Sequence, residues 1–124
     1  MKRYNPLQSP PPKEWLALDE DERTRLVTDY HRRAGIELPN ARLHAGLHMI
    51  VENQIALGDE TPVRRTLGRL MANGADRHAA LHAIAAVLLD RMTSGMENKL
   101  SGSDMTAGYY AELETLTIEG ETRH

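Results

Sequence analysis

Two pairs of histidines stand four residues apart in this chain, His44 with His48 and His78 with His82. Residues four apart on a helix lie one turn apart on the same face. Two imidazoles so placed can chelate one divalent metal ion. Two such pairs on packed helices supply four nitrogen donors, a set that suits zinc, copper, iron or nickel without selecting sharply among them. Glu52 extends the first pair by one more step of four. It can serve as a fifth ligand, or it can hold a ring N–H from behind.

Other chemistries leave no trace. The zinc-protease pattern H-E-x-x-H is absent, because Ala45 follows His44. Di-iron carboxylate sites need E-x-x-H on two helices, and neither is present. No G-x-S-x-G, P-loop or G-x-G-x-x-G motif occurs. The chain has no cysteine, which removes disulfides, thiolate metal sites and a thiol nucleophile.

The histidines require helices to carry them, and the apolar spacing predicts an all-α fold. Four main helices are expected near 19–34, 41–57, 62–72 and 76–92, with a short C-terminal one near 104–117. In the second, Leu43, Leu47, Ile50, Val51 and Ile55 form one apolar arc, with His44 inside it, His48 at its margin and Glu52 beyond. In the fourth, Leu81, Ala85, Leu88, Leu89 and Met92 form the arc, and His78 and His82 both fall within it. Asp19, Thr61 and Asp76 read as N-caps, Pro62 as a first helical residue, and Gly35 and Gly74 as stops. Val63, Leu67, Leu70 and Met71 make the inner face of the third helix. Residues 94–103, S-G-M-E-N-K-L-S-G-S, have the composition of a flexible linker.

At 124 residues the chain is one domain long, expected to comprise an extended Pro-rich arm over 1–14, a helical domain over 15–118 and a frayed tail over 119–124. Aromatics are few, with one Trp, four Tyr and no Phe, so the core rests on aliphatic residues and Met. The net charge of −3 does not favour non-specific binding to nucleic acid. No apolar run is long enough to span a membrane, and the first residues lack the apolar stretch of a secretory signal. With the absence of cysteine, these point to a cytoplasmic protein.

Several features have plain structural readings. Pro10 to Pro12 favour an extended, solvated arm. His31, beside Arg32 and Arg33, reads as a cation capping a helix C-terminus. Arg64 and Arg65 read as a solvated face, with Arg69 pairing inward. His124 is terminal and takes no role.

The central segment, His44-Ala-Gly-Leu-His48, Glu52-Asn53-Gln54, Asp59-Glu-Thr-Pro62 and Arg77-His78-Ala-Ala-Leu-His82, resembles a bacterial family known only as a domain of unknown function. The likeness covers about the central half of the chain, with a weaker echo from Trp15 to His31. Leu81 stands where some members carry Glu. The resemblance implies an all-helical bacterial protein and supplies no substrate.

Three functional readings follow. In the first, His44, His48, His78 and His82, with Glu52, bind one divalent transition metal such as zinc, nickel or iron. In the second, the histidines form a metal-free network with Glu52 and Arg77 or Arg69, and the protein acts as an interaction module or homodimer. A metal-dependent hydrolase is a third possibility, and it requires a water-accessible metal.

Overall fold

The computed structural model describes residues 1–35 and 40–118. Pro39, the expected tail 119–124 and His124 lie outside the described residues. Six α-helices and no strand are present among the described residues: α1 Pro12–Ala17, α2 Glu20–Arg33, α3 Ala41–Ala56, α4 Val63–Ala72, α5 Arg77–Glu97 and α6 Gly102–Thr115. A 3₁₀ turn, Gly58–Glu60, joins α3 to α4. None of these helices is long and apolar enough to cross a membrane.

The all-α class agrees with the sequence, but the division into four main helices and a short fifth does not. Two elements account for this. Pro12 sits at the first position of α1, where its missing N–H is harmless, so the proline run opens a helix. The segment expected to be a linker is mostly helical, because α5 continues to Glu97. The Ser101 side chain accepts from Asp104 N at 3.1 Å and starts α6, which is as long as α2.

Elsewhere the helix ends follow local chemistry. Asp19, Asn40 and Asp76 each accept a backbone N–H three residues on, at 2.8, 3.1 and 2.7 Å. Thr61 Oγ1 accepts from Val63 N at 3.2 Å, so α4 begins one residue after Pro62. Gly35 and Gly74 end their helices with φ of +72° and +112°, in the region that an L side chain disfavours.

Helix α3 is the axis of the fold. It packs against α1 and α2 on one side and α4 and α5 on the other, while α6 covers α4 and α5. Two apolar clusters result. One joins Tyr4, Trp15, Leu26, Val27, Ala45 and Met49. The other joins α3 through α6 around Val51, Val63, Leu81, Ile84 and Leu113.

Being covered from two sides, α3 has a buried surface wider than a single amphipathic arc. That moves its histidines: His48 and Glu52, expected at or beyond the margin, are fully buried, while Leu43 is exposed and His44 half-buried. Met71, Leu89 and Met92, expected in apolar arcs, are also exposed.

Three consecutive polar residues of α3 tie the layers together. Glu52 pairs with Arg77 of α5. Asn53 Oδ1 accepts from Trp15 Nε1 at 2.9 Å and Arg23 Nη1 at 3.1 Å. Gln54 Oε1 accepts from the Tyr109 hydroxyl of α6 at 2.7 Å.

The glycines of α4 and α5 differ in their surroundings. A Cβ on Gly95 would overlap the Met105 side chain of α6, whereas one on Gly68 would meet nothing within 4 Å. Overpacking costs about 1–3 kcal/mol, and replacing helical Gly with Ala gains up to about 1 kcal/mol. Gly95→Ala is therefore expected to lower stability by about 1 kcal/mol, and Gly68→Ala to raise it by roughly 0.5–1 kcal/mol. Urea unfolding of both variants checks this, and a stabilised Gly95→Ala would show that the α5–α6 contact is loose.

Candidate metal centre

Five imidazoles meet between α2, α3 and α5: His31, His44, His48, His78 and His82. They come from α2 on one side, α5 on the other, and α3, which contributes to both apolar clusters. Across the two expected pairs, ring centroids lie 4.8 Å apart for His44 and His82, 5.5 Å for His48 and His78, and 5.8 Å for His48 and His82. His31 is 4.6 Å from His44, 5.4 Å from His48 and 5.7 Å from His78.

His31 was expected to be a helix cap, and its position overturns that. It follows the buried Val27 by four residues, which puts it on the inner face of α2. The sequence held this signal, but the neighbouring arginines pointed to an exposed C-terminus instead.

Among the described residues, His31, His48, His78 and His82 form a set in which one candidate donor atom from each lies within 4.8 Å of every other. His44 lies beside this set, and its Nε2 is 3.0 Å from His31 Nε2. Glu52 lies behind it. The two ends of the set differ in exposure: His31 and His48 are buried, His78 is half-buried and His82 faces solvent.

Hydrogen bonds assign the protons on two rings. His31 Nδ1 is 2.8 Å from the Val27 carbonyl, which can only accept. The proton is therefore on Nδ1, and in the neutral ring Nε2 carries the lone pair. His48 Nε2 is 2.7 Å from the Tyr4 hydroxyl, which itself donates to Glu52 Oε2. The Tyr4 oxygen must then accept from His48 Nε2–H, which leaves the lone pair on Nδ1.

Arg77 completes this chain. Its Nη1 and Nη2 donate to the two Glu52 oxygens at 2.7 and 2.8 Å, and Nη1 also donates to the Pro6 carbonyl at 3.0 Å. Among the described residues, the hydrogen bonds link Glu52 to the histidines through the Tyr4 hydroxyl. Arg69, the other candidate partner, donates instead to the Leu113 and Leu116 carbonyls.

Among the described residues, two buried ring nitrogens have no hydrogen-bond partner, His48 Nδ1 and His78 Nε2. Leaving such a group unpaired costs about 1–3 kcal/mol, so its presence needs a reason.

Burial, reinforced by the other rings, holds His44, His48, His78 and His82 below the ordinary histidine value. His48 is lowered to about 2, by burial first and then by His31, His78, His82 and His44. His44 is lowered to about 4, by burial, then His82 and His31. His82 is lowered to about 4, by burial, then His78 and His31, with Asp76 opposing. His78 is lowered by burial and His31, again against Asp76. For Arg77 burial opposes the charge, but the hydrogen bonds and charge of Glu52 prevail and hold it above its ordinary value. Burial and the Glu52 charge raise Tyr4, keeping its hydroxyl protonated.

The sequence model of one protein family, described as a domain of unknown function (DUF1841), matches residues 9–109. The chain belongs to that family. The DUF1841 match reaches well beyond the central half expected to carry the likeness. It takes in α1 through α5, all five rings, Glu52 and Arg77, and it leaves Tyr4 outside. No curated protein and no solved structure matches the chain.

Tyr4 was not anticipated. The arm was expected to be solvated, yet the Tyr4 ring is buried against Trp15, Tyr30 and His48. Its only trace in the sequence is that it is one of five large aromatics in a chain without Phe.

Proposed function

We propose that this protein binds one divalent transition metal ion through His31, His48, His78 and His82. The observation that carries the reading is the pair of buried, unpartnered nitrogens, His48 Nδ1 and His78 Nε2, on two of four rings that each bring a candidate donor within 4.8 Å of the others. A metal ion gives both nitrogens a partner. His48, His78 and His82 are held below the ordinary histidine value, which favours the neutral, metal-binding form. Imidazole nitrogens suit zinc, copper, nickel and iron, and ligand chemistry alone does not choose among them. Donors around zinc at about 2.0–2.1 Å stand about 3.4 Å apart, so the four rings close inward by roughly 1 Å on binding.

In this reading Glu52 is a supporting residue. With Arg77 behind it, it fixes Tyr4, and Tyr4 fixes the His48 tautomer. His44 is a rim residue. Its Nε2–H donates to the His31 lone pair, which a metal would take over.

A metal-free His/Glu/Arg network remains the second reading, favoured by the Tyr4–Glu52–Arg77 chain. Against it, that chain satisfies one histidine nitrogen and leaves the two unpartnered ones as they are. The exposure of His82 supplies the water access that a metal-dependent hydrolase needs, but no group beside it defines a reaction.

Calorimetric titration of tag-free, chelator-treated protein with zinc and nickel tests the proposal. One equivalent is expected to bind, with affinity lost in His48→Ala and His78→Ala. His44→Ala is expected to bind as well as the parent chain, or more tightly. Loss of binding in His44→Ala with retention in His31→Ala would return the site to the two sequence-adjacent pairs. No binding at all would favour the network.

A further inference from the structure

We infer that the N-terminal arm is a clasp on the metal site, with Tyr4 as its positioning residue, so that metal loading and arm docking strengthen each other. The inference rests on the metal reading above.

The arm is held by buried polar contacts rather than by apolar packing alone. Tyr4 donates to Glu52 and accepts from His48 Nε2, and the Pro6 carbonyl accepts from Arg77 at 3.0 Å. The Tyr4 carbonyl also accepts from Arg33 Nη2 at 3.4 Å. Every one of these partners belongs to the helices that carry the histidines. With the arm in place Glu52, Arg77 and His48 are each at most 4 % exposed, and each loses a hydrogen-bond partner when the arm undocks. The arm therefore completes the polar layer directly behind one metal donor.

The coupling has a chemical basis. The Tyr4 oxygen holds the proton of His48 on Nε2 and so keeps Nδ1 free for an ion. A cation on Nδ1 draws electron density from the ring and makes Nε2–H a stronger donor to Tyr4. Each event favours the other, and linkage makes the two effects equal in size. Groups that orient a metal-bound histidine in this way typically alter affinity 10–100-fold.

Tyr4→Phe keeps the ring against Trp15 and Tyr30 and removes only the hydroxyl. Its zinc dissociation constant is expected to rise about 10–100-fold. In the parent chain, zinc is expected to slow amide exchange across residues 3–8. Histidine ¹⁵N shifts of the metal-free chain should show the His48 proton on Nε2, and a mixture of tautomers in Tyr4→Phe. Leu113→Ala, a core change in the other apolar cluster, should lower stability without changing zinc affinity. Parent chain and Tyr4→Phe binding zinc equally, with arm exchange indifferent to zinc, would overturn the clasp and leave the metal site standing. A parent chain that binds no zinc would overturn both. Should Tyr4→Phe fail to fold, arm exchange in the parent chain with and without zinc still decides the question.

Discussion

Glu52→Gln is expected to destabilise the fold by about 3–5 kcal/mol, the range for breaking one side of a buried ion pair. Glu52 and Arg77 are 1 % and 4 % exposed, and Arg77 pairs with no other acid among the described residues. After the change its charge stays in the core, held by an amide oxygen and the Pro6 carbonyl. The pair is not expected to contribute that much in itself. Replacing both residues together, Glu52→Met with Arg77→Met, removes the unpaired charge and should recover most of the loss. Urea unfolding of the two single variants and the double variant forms the cycle. A single variant within about 1 kcal/mol of the parent chain would mean that water reaches the pair.

The metal-free protein is expected to lose stability steeply as pH falls below about 6.5, the ordinary histidine value. The sign follows from proton binding. The unfolded chain takes up protons on its histidines near pH 6.5. In the folded chain burial resists this at four rings, lowering His48 to about 2, His44 and His82 to about 4, and His78 as well. The unfolded state therefore binds more protons across this window, and stability falls as pH falls. Above pH 6.5 neither state binds these protons, and the effect vanishes. His48 alone, being buried, accounts for about 1.4 kcal/mol per pH unit. His82 and His44 add less because solvent screens them. Denaturation midpoints with chelator at pH 7.5, 6.0 and 5.0 measure the slope, which His48→Gln should make shallower. Bound metal should hold the fold to lower pH until protons displace it. A flat profile from pH 7.5 to 5 would contradict the burial of the cluster.

The all-α class was legible because apolar spacing and cap residues are local. Asp19, Asp76 and Gly74 fix helix ends through atoms within a few residues of themselves. The length of α5 was not legible. Ser94, Gly95 and Ser101 have loop-like composition, and only the close packing of Gly95 on Met105 shows why a glycine belongs there. The two histidine pairs were legible as spacing, but not their depth. Burial on α3 depends on how many neighbours cover it, and the wheel of one helix does not contain that number. His31 was hidden by Arg32 and Arg33, and Tyr4 by the prolines around it. The spacing of His31 from Val27 carried a local trace of its place, whereas Tyr4 joins the cluster through tertiary contacts that no local pattern encodes.

Metal content is the most direct test of the central claim. Protein purified without a His-tag, from cells grown with trace zinc, nickel and iron, is subjected to elemental analysis beside His48→Ala and His78→Ala. The proposed site predicts about one equivalent of a single transition metal in the parent chain and a small fraction of that in either variant. Equal, substoichiometric metal in all three proteins, with melting temperatures unmoved by chelator, would contradict it.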